Sequence, residues 1–185
     1  MKDILVEDHA EMDDLLRRVR SALDRKDPEA AFSLLDLLWA RLAVHIRAEN
    51  TLLFPALERA HDRLSIARRP EARHGPAHPP APLIAELRED HDFFMRELTR
   101  AVLALKQLCR TSSCAEAERV CDQVRRTLAA VEERLRRHNE REESGVYQLA
   151  HQWLDTAQME KLRRRIADDL RRMPSRWTSG NPPSR

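Results

Sequence analysis

Glycine is scarce in this chain, with three in 185 residues, and aromatic residues make up only 4%. Together with long proline-free runs and 35% charged residues, this excludes a sheet-rich fold and points to an all-α protein. No stretch of about 18 apolar residues occurs, so no membrane span is expected. The N-terminal Met1–Asp14 segment is acidic and amphipathic, without the basic start and apolar core of a signal peptide. Cysteine is nearly absent too: three cannot all pair within one chain and none forms a CxxC, so a reducing cytoplasm is the expected setting. Charge of one sign is also lacking. The formal net charge is +2, which offers no general argument for nucleic acid or membrane as a partner.

What is present is four amphipathic seams with 3-4 apolar spacing. The first runs Leu5, His9, Met12, Leu16, Val19, Leu23, and the second Ala31, Leu35, Leu38, Leu42, His45, Glu49, Leu52. The third runs Ile84, Leu87, His91, Phe94, Leu98, Ala101, Leu105, Leu108, and the fourth Ala117, Cys121, Val124, Leu128, Val131, Leu135, His138, Glu142. Seams of this length predict an up-down-up-down four-helix bundle over residues 1–153. Asp27-Pro28 should cap and open the second helix, and Pro55 should end or kink it just past its polar pair. Residues 68–82, with five prolines (Pro70, Pro76, Pro79, Pro80 and Pro82) and Gly75, read as a linker between the second and third helices that cannot be helical. A fifth seam (Met159, Leu162, Ile166, Leu170, Met173) predicts an extra C-terminal helix over 154–173 with a basic outer face, and residues 174–185 read as a disordered tail.

The strongest signal is an internal repeat. Glu7-Asp8-His9 recurs about 82 residues later as Glu89-Asp90-His91, and His45-x-x-x-Glu49 recurs as His138-x-x-x-Glu142. Phe54 and Tyr147 each follow the glutamate by five residues. Each helix pair thus offers one histidine from its first helix and a His/Glu pair from its second. His9 and His45 stand 18 residues on either side of Asp27, so an antiparallel hairpin brings them level.

All six residues, His9, His45, Glu49, His91, His138 and Glu142, occupy positions otherwise held by core side chains. Burying one unpartnered polar group costs roughly 1–3 kcal/mol, more for a carboxylate, against a total stability of about 5–15 kcal/mol. The six must therefore meet and be compensated. The i,i+4 spacing puts each His/Glu pair on one helix face, within reach of one cluster. Imidazole and carboxylate suit iron or manganese, zinc tolerates them, and the absence of thiolate argues against structural zinc. The set is too large for one tetrahedral ion. With both glutamates bridging two ions, each ion has about two positions left for a bridging oxygen and an exogenous ligand.

These residues resemble the hemerythrin-like, or HHE cation-binding, family, whose pattern is His…HxxxE…His…HxxxE across four helices. The resemblance covers about residues 1 to 150, including Leu53-Phe54-Pro55. It implies two non-haem iron ions, oxo- or hydroxo-bridged, held by the six residues with both glutamates bridging. Oxygen-carrying hemerythrins have an HxxxH on the third helix, where this chain offers only His91. The ligand set is similar to that of di-iron proteins linked to iron–sulfur cluster repair under nitric oxide or oxidative stress.

Four functions follow as expectations. The favoured one is a di-iron protein that binds, senses or scavenges dioxygen, nitric oxide or peroxide. The others are a redox enzyme on the same centre, an iron donor for cluster repair, and a helical partner with a vestigial site. No flavin or nicotinamide motif supports the enzyme. Asp8 and Asp90 point about 100° from the neighbouring histidines and are not read as ligands. Tyr147 is read as core packing, with a hydrogen bond toward the site as the alternative. His61 and His151 are read as surface residues, His74 and His78 as linker. Cys109 and Cys114 bracket the third turn and could pair on oxidation, whereas Cys121 reads as a small hydrophobe in the seam. The Arg163-Arg164-Arg165 and Arg171-Arg172 runs read as a solvated face, with docking of an acidic protein partner as the alternative.

Overall fold

The computed structural model describes residues 2–67, 80–109 and 114–173, all of them in helices or their connections. Helices α1 (Lys2–Asp24) and α2 (Pro28–Ala48) form the first hairpin. Helices α4 (Ala81–Leu108) and α5 (Cys114–Arg141) form the second. The hairpins face each other through α2 against α4 and α1 against α5, which closes a four-helix bundle. Asp27 caps α2 by accepting from the Ala30 N–H at 3.0 Å, with Pro28 in the first turn, where a missing N–H costs nothing. Lys26, at φ 57°, takes the left-handed position that ends α1.

Of the two expectations at Pro55, an end or a kink, the end does not occur. Helix α2 passes into a π turn, Glu49–Leu53, closed by the Phe54 N–H bonding the Glu49 carbonyl, and continues as α3 (Phe54–Ala67). The α register breaks here but the helix does not. Leu53, Phe54 and Leu57 drop into a second apolar cluster, and their burial holds the chain helical beyond the proline. The fourth helix does the same without proline. A π turn, Glu142–Val146, follows α5 and leads into α6 (Tyr147–Trp153). At Gly145 a Cβ would come within 2.8 Å of Leu83, so glycine lets the start of α4 approach the turn. Helix α4 begins at Ala81 with Pro82 in its first turn, inside the range read as linker, because the first turn has no α-helical N–H bonds to lose. Residues 68–79, including His74 and His78, and the tail from 174 lie outside the described residues.

Helix α7 (Thr156–Leu170) is opened by a capping box of Asp155 and Gln158. It buries Leu162, Ile166 and Leu170 against α2 and the Glu49 π turn, each such side chain contributing about 1.5–3 kcal/mol. Two apolar clusters result. One fills the bundle from Met12 and Leu16 through Leu42, Phe94 and Leu98 to Val131 and Leu135. The other joins Leu5, Leu53, Phe54, Ile84, Tyr147 and Ile166 above it. The polar residues of the repeat lie where the two clusters meet. No helix among the described residues is long and apolar enough to cross a membrane.

Candidate metal centre

The six seam residues converge in the structure, each between 0 and 4% exposed. His9 comes from α1, His45 from α2, His91 from α4 and His138 from α5, while Glu49 and Glu142 each occupy the first position of a π turn. A π turn inserts a residue into the helical register, and such turns recur at functional sites. It leaves the His/Glu spacing upstream intact and re-aims Phe54 and Tyr147 downstream.

The two halves are related like the sequence repeat. The His9 and His45 rings lie 4.9 Å apart, as do those of His91 and His138. His45 Nε2 is 3.4 Å from Glu49 Oε1, and His138 Nε2 is 2.9 Å from Glu142 Oε1. Across the halves, His91 Nε2 is 3.2 Å from Glu49 Oε2, and His9 Nε2 is 3.3 Å from Glu142 Oε2. Each glutamate therefore stands between a histidine of its own helix and one of a neighbour. Donor atoms of Glu49, His91, His138 and Glu142 all lie within 4.8 Å of one another, and so do those of His9, His45 and Glu142.

Asp8 and Asp90 are not among these donors, but both are buried and both orient one. Asp8 Oδ2 is 2.7 Å from His45 Nδ1, and Asp90 Oδ2 is 3.2 Å from His138 Nδ1. A carboxylate on Nδ1 holds the proton there and turns Nε2 inward as a free donor. Arg41 donates to Asp8, and Arg134 and Arg141 donate to Asp90. The signal for this outer ring was in the repeat. Arg41 and Arg134 each precede the site histidine by four residues, and Asp8 and Asp90 immediately precede His9 and His91. Each aspartate points away from its own neighbour but toward the histidine of the adjoining helix.

The charges respond to this packing. Burial disfavours the charged form of His138, but the Glu142 carboxylate and the Asp90 hydrogen bond outweigh it and raise its pKa to about 9. His45 is raised well above 6.5 in the same way, against its burial, by Glu49 and Asp8. Burial works against the Asp90 carboxylate, yet hydrogen bonds from His138 and Arg134 bring its pKa down to about 2. Glu142, opposed by burial but faced by His138 and His9, lies well below its ordinary value. Without metal, protons on His45 and His138 offset the buried carboxylates beside them.

That balance leaves atoms unserved. His91 Nδ1 and His9 Nδ1 are buried without a hydrogen-bond partner, and both Glu49 oxygens, Glu142 Oε1 and His91 Nε2 meet only other residues of the site, at 2.9 to 3.4 Å. Each unpartnered atom costs about 1–3 kcal/mol in an interior that otherwise satisfies its polar groups. Nitrogen and carboxylate donors clustered in this way fit metal cations.

Tyr147 is fully buried, and its hydroxyl donates to Glu142 Oε2 at 3.3 Å, so it does more than pack. Burial, and then Glu142 and Glu49, push its pKa well above 10, which keeps the donor protonated. Phe54 lies flat against His91 at 5.9 Å and has no hydroxyl to offer. His61 is only part-exposed, its ring 5.5 Å from Trp153, where it ties α3 to α6, whereas His151 is exposed. Cys109 is an exposed free thiol whose pKa burial raises, and the Cys114 side chain lies outside the described residues, as does the expected pairing.

A family model of the hemerythrin HHE cation binding domain matches residues 1–150. Comparison with curated proteins and with solved structures gives no match.

Proposed function

The chain belongs to the hemerythrin HHE cation-binding family, and on that premise we propose that it is a non-haem di-iron protein that binds, senses or scavenges a small ligand such as dioxygen, nitric oxide or peroxide. His9, His45, Glu49, His91, His138 and Glu142 would hold the metals. The observation that carries this reading is the convergence of six buried donor side chains, several of them without any other partner. When bound, a pair of iron ions supplies Lewis acidity, one-electron chemistry and open coordination positions.

The protein's own residues supply the rest. Asp8 and Asp90 hold protons on Nδ1 of His45 and His138, keeping Nε2 free for metal. Phe54 against His91 and Phe94 against His138 wall the site with apolar surface. The burial of all six donors favours a ligand of two or three atoms over a larger substrate. Tyr147 contributes a protonated hydroxyl to the wall, able to donate to Glu142 or to a small ligand beside it. The same buried and pre-oriented donors suit retention of metal better than its release, so iron donation to a cluster acceptor is the secondary reading.

The deciding experiment is metal content and the optical spectrum of protein purified without chelator. A pair of irons per chain with ferric charge-transfer bands is expected, and these bands should respond reversibly to dioxygen or nitric oxide. Catalytic loss of peroxide or nitric oxide would make the protein an enzyme instead, and iron passing to an apo-cluster acceptor would make it a donor. Failure to take up ferrous iron anaerobically would end the di-iron reading, with loading of manganese or zinc instead reassigning the metal.

A further inference from the structure

Helices α3 and α7 lie on either side of the Glu49 π turn, and between them runs a groove of about 230 Å³. Its rim carries Arg59 and Arg63 from α3 and Lys161 and Arg165 from α7, each pair one turn apart, over a floor that includes Leu52 and Leu162. The four cations are exposed, and none has a carboxylate partner among the described residues. Most acidic residues around them are engaged elsewhere, and Asp62, between Arg59 and Arg63 on α3, makes no ion pair with either. Glu58 meets Arg88, Glu160 meets Arg163 and Arg164, Asp168 meets Arg171, and Asp169 meets Arg47. Like charges one turn apart on a helix destabilise it by a few tenths of a kcal/mol per pair, and here two such pairs face each other. The fold pairs the neighbouring arginines and leaves this set, four cations to the one carboxylate of Asp62, without ion pairs among the described residues.

A second feature shares the face. Ile66 is 85% exposed, and the spacing 59, 63, 66 places it on the same side of α3 as Arg59 and Arg63. An apolar side chain beside a cationic rim with an apolar floor has the composition of a protein interface. A small-anion site would instead gather buried donors. We propose that the groove between α3 and α7 is a docking surface for the acidic face of a partner protein, with Ile66 as its apolar anchor. Leu52, which lines the groove, belongs to the same π turn as Glu49, so a partner seated there touches the segment that carries a site residue. The proposal stands whether or not the centre holds iron.

The test uses the full chain and a fluorescein-labelled glutamate-rich peptide carrying one leucine, followed by anisotropy at low ionic strength. One variant carries Arg59→Gln, Arg63→Gln, Lys161→Gln and Arg165→Gln. A control removes equal charge outside the groove, through Lys106→Gln, Arg119→Gln, Arg126→Gln and Arg172→Gln. Binding should weaken about tenfold or more in the groove variant and less than about twofold in the control, with Ile66→Ser weakening it by about threefold. The groove variant should melt at the same temperature or higher, since repulsion is relieved. Equal losses in both charge variants would reduce the effect to net charge and overturn the proposal. A lowered melting temperature would make the cations structural. Displacement by inorganic pyrophosphate at matched ionic strength, with Ile66→Ser silent, would replace the partner protein with a small anion.

Discussion

The two halves of the repeat are built from the same parts but are not equivalent. The first half contributes Asp8, His9, Arg41, His45, Glu49 and Phe54, and the second Asp90, His91, Arg134, His138, Glu142 and Tyr147. Differences gather around Glu142. It belongs to both groups of mutually close donors, whereas Glu49 belongs to one. It alone receives a tyrosine hydroxyl. The next residue, Glu143, approaches His9 Nδ1 at 3.6 Å, while the matching position in the first half is Asn50 and His91 Nδ1 has no partner. Asp90 is held by two arginines and Asp8 by one at its buried oxygens. Duplicated scaffolding thus carries an electrostatically uneven centre, in which the two groups of donors are not equivalent.

The largest expected break comes from the glutamates. Glu142→Ala should abolish loading at both positions, while Glu49→Ala should retain part of the metal, as read by metal analysis after anaerobic reconstitution. Equal losses would mean that the asymmetry of the donor groups has no energetic weight. The next effect is pH. In the metal-free protein His138 keeps its proton up to about pH 9, so metal must displace it. Apparent affinity should therefore rise with pH across 7 to 9, by about tenfold per unit for each proton released, measured by chelator competition. The same raised pKa stabilises the metal-free fold fully below 6.5 and is lost as pH climbs through about 9. Metal-free protein should accordingly lose melting temperature on the alkaline side while loaded protein does not.

Smaller effects sharpen the comparison. Asp8→Ala and Asp90→Ala should each weaken metal binding by about 10–100-fold. Asp90→Ala should be the more damaging, because it leaves both Arg134 and Arg141 without their shared acceptor. Smallest is Tyr147→Phe, which gives the second half the aromatic residue of the first. It should keep full metal content and change stability by about 1 kcal/mol in chemical denaturation. Its small-ligand affinity should fall if the hydroxyl serves the bound ligand, and a variant unchanged in affinity would confine Tyr147 to holding Glu142.

Much of this architecture was legible before any coordinates, and for a simple reason. Helical periodicity converts sequence spacing into a face, so the seams predicted the bundle, and a polar residue in a seam announces its own burial. The convergence of His9, His45, Glu49, His91, His138 and Glu142 followed from their register about the turns. Spacing along one helix is silent about what an adjoining helix presents, however. Asp8 and Asp90 looked peripheral because each points away from the histidine beside it, and only packing shows that each faces His45 or His138 across the hairpin. Pro55 shows a related limit: a local rule allows either an end or a kink, and burial of Leu53, Phe54 and Leu57 decides against the end while a π turn takes up the register. The groove between α3 and α7 was also beyond reach, since its two pairs of cations, Arg59 and Arg63 on one helix and Lys161 and Arg165 on another, are far apart along the chain. The sequence by itself determined which faces are buried and which donors must find partners, because those depend on helical period and the cost of burying polarity. Only the tertiary structure decided how Glu142 came to serve both donor groups and where the unpaired charge collects, because both depend on contacts between helices that no single helix encodes.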